Sequence, residues 1–442
     1  MSHQWREWVV AGLVAVSTAA CTKTVNQCET DSDCKNVAYP FCDLNGEYPS
    51  SGGMSNICTI VPANCPVERC GCEPGATTCS ADQLVVCDPG GTTATTTSCS
   101  LGCANTMDHC LTFTPSNGLR TTFAGASTQP DVTIPNNATI DSGTGFITGS
   151  TGNLTVTSVI VPQPSGDIRV YVAKSFSFTN AKITGTKAVA FVAAGDITIS
   201  GMVDASASGP TGGPGEQLAP AGCRGTYTSA QAGGGGGNLT AGGAGEYRDV
   251  PNGPEAATAA GVQQPTLSSL VGGCAGGGSG TSGNAGGAGG GAIQLVAGGT
   301  IHIEAAGFID VGAGGGRPTA GGGSGGNLIF EAPSIIIDGG VAANGGAGGC
   351  PSASGEDGHP SAVFAPCGCS RIGADSFGGR GGTALLTPGP GNTGFISGLA
   401  TGGYGGGGSV GQLRLRSRDG AYGMVATSVL SVSIDAGTLV ID

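Results

Sequence analysis

The sequence predicts an all-β protein: a right-handed parallel β-helix (β-solenoid) with Gly-rich loop insertions, preceded by a small disulfide-rich region. Three observations carry this expectation. Glycine supplies 87 of 442 residues, almost three times the average usage of about 7%. Thirteen of the 18 cysteines crowd between Cys21 and Cys110. Beyond them, a pair of apolar strands separated by a Gly-containing corner recurs along the chain.

Composition also excludes several classes. Seventeen basic against 30 acidic residues give a net charge of −13, which argues against a surface that neutralises nucleic acid. The glycines follow no strict Gly-X-Y period, so collagen is excluded. Long helices are disfavoured, because each interior Gly costs roughly 1 kcal/mol against Ala.

The first element is an export signal, residues 1–21. Arg6 precedes an uncharged run from Trp8 to Ala20 that ends in small residues. The run is shorter than the about 20 residues of a membrane span, and its flanks suit secretion. Val16-Ser17-Thr18-Ala19-Ala20-Cys21 resembles a bacterial lipobox, with Thr18 in place of the usual Leu. That resemblance makes Cys21 the lipidation candidate. The alternative is ordinary cleavage near Ala20. No second hydrophobic span follows, so any membrane attachment is expected through the lipid alone.

The second element, residues 22–112, is expected to be disulfide modules, since a core this small is marginal without staples. Cys28, Cys34, Cys42, Cys58, Cys65, Cys70, Cys72, Cys79, Cys87, Cys99, Cys103 and Cys110 form an even, dense set in an exported chain. Zinc is the rival reading for Cys70-Gly71-Cys72 and Cys367-Gly368-Cys369, but paired Cys-x-x-Cys knuckles are absent. Asp31 and Asp33 fall short of a calcium loop for want of further spaced oxygens. No metal and no cofactor are expected.

The third element, residues 113–442, carries the repeat. Ala188 to Ile199 matches Ala292 to Ile303 without a gap, and Leu328, Phe330, Ile335 and Ile337 fit after one deletion. Copies are placed at 168, 189, 293, 328 and 413, with third strands at Ile183, Met202-Val203, Phe308-Ile309 and Val341. Such a unit hides its alternate side chains only when stacked on a neighbour. A β-sandwich or antiparallel barrel is the runner-up; it needs the tight hairpin turns that this pattern lacks. Larger spacings mark insertions at about 209–290 and 345–410. Their tracts, Gly233 to Gly237, Gly276 to Gly278, Gly286 to Gly291 and Gly402 to Gly408, read either as flexible loops or as polyglycine-II segments bonded sideways. Cys223 and Cys274 flank the first insertion and are a further disulfide pair.

These strands and corners resemble filamentous-haemagglutinin-like adhesins of Gram-negative bacteria. The whole layout of lipobox-like signal, Cys modules and Gly-rich coil resembles large Gly-rich secreted proteins of myxobacteria. The resemblance implies a surface protein, outer-membrane lipoprotein or extracellular, that meets a cell-surface or extracellular glycan or protein.

Outward-facing columns of polar residues are where a β-helix would carry chemistry. Alternation turns His302 and Glu304 outward and aligns Glu304 with Asp338. Direct stacking would set two carboxylates about 4.8 Å apart, near the separation of retaining glycosidase pairs. Against catalysis, Arg317 is the one cation between residues 271 and 350 apart from His302. His359 beside Glu356 and Asp357 reads as a solvated loop rather than a metal site. Phosphate-loop, calcium-nonapeptide and nucleophile-elbow motifs do not occur in register. Asn137, Asn153 and Asn238 open glycosylation-type triplets that read as chance in a bacterial chain. The expectation is therefore a non-enzymatic, adhesive or structural protein. Its alternatives are a polysaccharide lyase or glycoside hydrolase on a β-helix, and protein recognition by the Cys-rich modules with the β-helix as spacer.

Overall fold

The computed structural model describes residues 28–29, 33–34, 41–45, 55–59, 75–80, 82–88, 94–104, 108–150, 152–216, 222–227, 232–248, 255–262, 267, 269–280, 283–367, 376–393 and 403–442. The signal, Cys21, Cys65, Cys70, Cys72 and Cys369 lie outside them. Two compact units meet in sequence between Leu111 and Thr112. In the first, strands Phe41–Asp43 and Ile57–Thr59 pair antiparallel, and Cys28–Cys42 and Cys34–Cys58 bridge beside them. A second module is a three-stranded antiparallel sheet, Thr77–Ser80, Gln83–Cys87 and Ala94–Ser98. Cys79–Cys103 and Cys99–Cys110 tie it to the following loop.

Three large sheets build the second unit, each sequence copy giving one strand to each, and two small antiparallel pairs, 245–248 with 255–258 and 376–377 with 392–393, lie within the insertions. The strands, in chain order, are β1 (Asp131–Ile134), β2 (Ala138–Asp141), β3 (Thr157–Val161), β4 (Ile168–Ala173), β5 (Ser175–Phe178), β6 (Ala181–Thr184) and β7 (Ala188–Ala193). They continue with β8 (Ile197–Ile199), β9 (Met202–Asp204), β10 (Ala292–Ala297), β11 (Thr300–Ile303), β12 (Phe308–Asp310) and β13 (Asn327–Glu331). The last are β14 (Ser334–Ile337), β15 (Gly340–Ala342), β16 (Gln412–Ser417), β17 (Gly423–Met424), β18 (Val429–Ser431) and β19 (Ser433–Thr438). The first sheet runs β3-β4-β7-β10-β13-β16-β19, the second β17-β14-β11-β8-β5-β1, and the third β18-β15-β12-β9-β6-β2 followed by a short hairpin. From β4 to β19 the first sheet is parallel throughout, as is the second. Such pairing leaves no room for an antiparallel sandwich or barrel in this part of the chain.

The gapless match of the second and third copies is the observed register: Val189 faces Ile293, and Ile197 faces Ile301. Leu328 and Leu413 continue the first column and Ile335 the second. The first copy differs. Ile168 pairs with Ala188, not with Val189, while Phe176 pairs with Ile197. Two residues, Lys174 and Ser175, separate Ala173 from Phe176, whereas Ala194, Gly195 and Asp196 separate Ala193 from Ile197. That one-residue slip exchanges the faces of β4. Tyr171 and Ala173 enter the core, and Ile168 and Val170 face the other way, also fully buried.

Between the sheets, aromatic rings fill the end built from the first copies. Tyr171 stacks on Phe191 at 5.4 Å, and Phe176 and Phe178 meet the same ring edge-on. In later copies the Tyr171–Phe191 column continues as Leu295, Phe330 and Leu415, and the Phe176 and Phe178 columns continue as Ile301 and Ile303, all buried. The outer face of the first sheet is covered in part by the segment after Thr112. There α1 (Arg120–Ala124) and a short 3-10 turn, Ala126–Thr128, lie against β4 and β7.

The described residues of the insertions form one glycine bundle. The insertions occupy residues 205–291 and 343–411, and a third, shorter one spans 311–326. Gly233 and Gly236 donate their amides to Thr319 and Gly322, Gly234 and Gly237 to Thr226 and Cys223, and Gly235 to Gly243. Likewise Gly405 and Gly408 donate to Gly349 and Gly346, Gly406 and Ser409 to Gly233 and Gly236, and Gly407 to Gly389. Bonds therefore change partner with every residue and return every third. That is the geometry of a three-residue-per-turn polyglycine-II helix bonded to its neighbours. Glycine is required by space: a Cβ on Gly408 would stand 1.7 Å from the Gly323 carbonyl oxygen, and one on Gly235 1.9 Å from that of Gly407.

A buried polar clamp joins this bundle to the first sheet. Asn238 donates to the Gly325 carbonyl and to Asn327 Oδ1, Asn327 donates to the Val271 carbonyl, and Gln412 donates to Asn238 Oδ1. Asn238, fully buried and bonded at both ends of its amide, is thus a structural residue.

Candidate functional site

The sequence-derived trio separates into a pair and a bystander. On the outer face of the second sheet, His302 Nε2 lies 3.0 Å from Asp338 Oδ2, with both side chains about one-third exposed. Glu304 follows β11 as Asp338 follows β14, but its carboxylate enters no hydrogen bond or ion pair among the described residues. None of the three lines the cavity described below. No other His, Cys, Asp or Glu completes a three-ligand cluster there; among the described residues such clusters consist only of disulfide cysteines. His359 bonds Glu356 at 3.0 Å on an exposed loop, while Asp357 is committed to the amides of Gly209 and Gly315.

A second carboxylate pair lies on the third sheet. The register stacks Lys182 on Asp204 and Asp204 on Asp310, one strand spacing of about 4.8 Å apart. Lys182 Nζ is 3.6 Å from Asp204 Oδ2, and Asp204 Oδ1 also accepts from the amide and hydroxyl of Ser206. Asp310 is 5% exposed and accepts the Gly312 amide. Burial, reinforced by the Asp204 charge and opposed by the Gly312 bond, pushes its carboxyl up to about 7. The alignment of Met202-Val203 with Phe308-Ile309 is the observed register and places Asp204 opposite Asp310; aligning the first copy on Ile183 rather than Ala181 hid the Lys182 member, since the observed partner of Val203 is Ala181.

Beside the column opens a cavity of about 560 Å³. It forms where the chain leaves β9 for the first insertion, so that residues 206–216 stand off from the corner after β6. Lys182, Thr184, Thr186, Ser208, Thr211 and Glu216 are among the residues that line it. A tight turn presents Ser208 and Thr211, whose backbones bond each other, and Asp357 pins its tip through the Gly209 amide. Glu216 is oriented by the Gly289 amide at 3.0 Å.

A third cluster is buried. Both carboxylate oxygens of Glu331 accept the Ser116 amide, and Gln294 donates to Glu331 Oε2 while Asn117 donates to Gln294 Oε1. Burial raises the Glu331 carboxyl above its ordinary range, against the lowering effect of Gln294, Ser116 and Arg414. Its position fastens the strap after Thr112 to the first sheet.

Of the predicted disulfide cysteines, Cys28, Cys34, Cys42, Cys58, Cys79, Cys99, Cys103 and Cys110 pair as given above, and Cys223 pairs with Cys274. Cys87 is also bridged, and so is Cys350, which the sequence reading had not singled out. No described helix is long and apolar enough to cross a membrane. Comparison with protein-family models, with curated proteins and with solved structures finds no match.

Proposed function

We propose that the chain is a non-enzymatic, exported surface protein, adhesive or structural, in which the three sheets are the faces of one right-handed parallel β-helix. The paired cysteines carry this reading. Disulfides hold both modules of the first unit and close the glycine bundle at Cys223–Cys274, and such bonds persist in oxidising compartments. The bundle supports a structural role, because it turns long insertions into a body with main-chain bonds in place of loose loops.

Catalysis is not favoured by the geometry. Among the described residues His302 and Asp338 lack a third group, and Asp310 is buried and bound to the Gly312 amide. Fractionation and cell-surface proteolysis of a Gram-negative host expressing the full chain test the reading. Surface exposure, with palmitate labelling lost in Cys21→Ala, is expected; retention in the cytoplasm with reduced thiols overturns it.

A further inference from the structure

We propose that the open edge of the first sheet, strand β3 (Thr157–Val161), is the docking surface for a second copy of this chain. The two β3 strands pair antiparallel about a two-fold axis and join the two sheets into one. The proposal goes beyond the surface-protein reading and does not depend on it.

The edge itself is the first observation. β3 ends the first sheet, with β4 on its inner side and no strand on its outer side among the described residues. In an antiparallel pair, alternate residues turn both amide and carbonyl away from the neighbour. β3 therefore presents main-chain donors and acceptors that only water or another strand can satisfy. The edge is held in place before a partner arrives: the Thr157 hydroxyl donates to Gln129 Oε1, and the Gln163 amide to the Asn117 carbonyl.

The contrast between the two edges of the same sheet is the second. At the far edge β19 carries Asp435, which Arg416 bridges at 2.8 Å, and charge guards an edge against pairing. β3 has no such guard. Residues 142–166 contain no charged side chain, and β3 pairs with β4 over all five of its residues without a bulge. Val159 and Ile160 are 41% and 46% exposed, on opposite faces of the strand. Phe146, also exposed, stands at the same end of the sheet, since its neighbour Gly145 lies against Ser158 Oγ and Arg169. Arg169, opposite Ile160 on β4, is committed to the carbonyls of Ser142 and Gly143.

Charge and symmetry identify the occupant. A chain of net charge −13 repels its own copies, so they approach most closely across a surface without charge. β3 and its flanks supply that surface. A two-fold axis at Val159 sets this residue opposite its own copy, Thr157 opposite Val161, and Ser158 opposite Ile160. Every cross-strand pair on the Val159 face then joins β-branched side chains, the residues that pack best on a pleated surface. The pairing is self-complementary, as an isologous contact must be. Five residues a side fall below the size of a standard stable interface, so the dimer is weak, with dissociation in the micromolar range.

The experiment is sedimentation equilibrium of the full chain between about 1 and 500 μM. A monomer–dimer equilibrium is expected. Val159→Lys and Ile160→Lys, each placing a charge on an exposed position of the edge, should leave monomer at every concentration with an unchanged melting temperature, while Val159→Ile keeps the dimer. A second measurement is independent of the lysine variants. Val159→Cys should be captured on mild oxidation as a disulfide-linked dimer, and Leu385→Cys, at a position 89% exposed on an insertion, should not. A parent that stays monomeric throughout overturns the proposal, whether its edge is left open or taken by a strand of another protein. A dimer that both lysine variants leave intact overturns it too. So does growth beyond the dimer, the mark of head-to-tail pairing between β3 and β19. Failure of export would overturn the surface-protein reading and leave the dimer standing.

Discussion

Asp310 lies directly opposite Asp204 in the parallel register of β12 and β9, and only Asp204 reaches a cation, Lys182. Two carboxylates one strand apart cannot both ionise cheaply when one is buried. With its folded value near 7 against 3.8 for the free side chain, Asp310 keeps its proton in the native state over a window where the unfolded chain has lost it. Stability contributed by this group is therefore complete below about pH 4, declines between about pH 4 and 7, and is flat above. Asp310→Asn should flatten that decline and stabilise the protein at neutral pH by as much as roughly 4 kcal/mol. Denaturant titrations of both proteins at pH 4, 5.5 and 7.5 measure the difference; an unchanged slope would show that burial does not hold the proton.

The glycine bundle makes a sharper claim about single methyl groups. Gly408→Ala and Gly235→Ala each drive a Cβ into a carbonyl oxygen less than 2 Å away. A loss of several kcal/mol is expected, at the upper end of single-substitution effects (about 4 kcal/mol or more). Gly423 is the control, because its Cβ would find its nearest neighbour, Ile336, at an ordinary 3.7 Å. Melting temperatures of the three variants decide the matter, and equal shifts would refute the packing.

Reduction of Cys223–Cys274 should loosen the same bundle. The bond closes a separation of 51 residues, for which chain entropy gives about 4 kcal/mol. Cys223→Ser with Cys274→Ser should lower the unfolding midpoint and expose the first insertion to proteases, with the strands of the three sheets still protected from amide exchange. Uniform protection across bundle and sheets would contradict the expectation.

The His302–Asp338 pair is predicted to be dispensable. Partly exposed ion pairs contribute about 0–1 kcal/mol, so Asp338→Asn should shift stability by no more than that. Assays of parent and variant on pectin, alginate and hyaluronan should show no turnover in either. Turnover abolished by Asp338→Asn would restore the catalytic alternative.

The repeated strands were legible because their inward residues alternate and their partners have the same chemistry: Val189 above Ile293, Ile293 above Leu328. The face of β4 was not, because a corner longer by one residue, Asp196, carries no mark in apolar periodicity. Lys182 was lost from the charged column through a misplaced third strand in the first copy, whereas the Asp204–Asp310 pairing follows from the aligned Met202-Val203 and Phe308-Ile309. For the bundle, the sequence offered polyglycine-II beside a flexible-loop alternative and could not name the neighbours. Gly322 contacts tracts around residues 236, 346 and 406, and a residue without a side chain gives no clue to which. The cavity arises where two such unreadable features meet, at the exit from β9 into the first insertion.

Because each glycine strand meets a fresh neighbour at every residue and the first again after three, the bundle imposes its own counting rule on change. Losing one residue from the stretch 233–237 would rotate everything beyond it by a third of a turn and send each amide toward the wrong carbonyl. Losing three would restore the phase and shorten the strand by one helical repeat. Length variants of this chain should therefore be tolerated in steps of three within the tracts, while at their connecting tips any number is admissible.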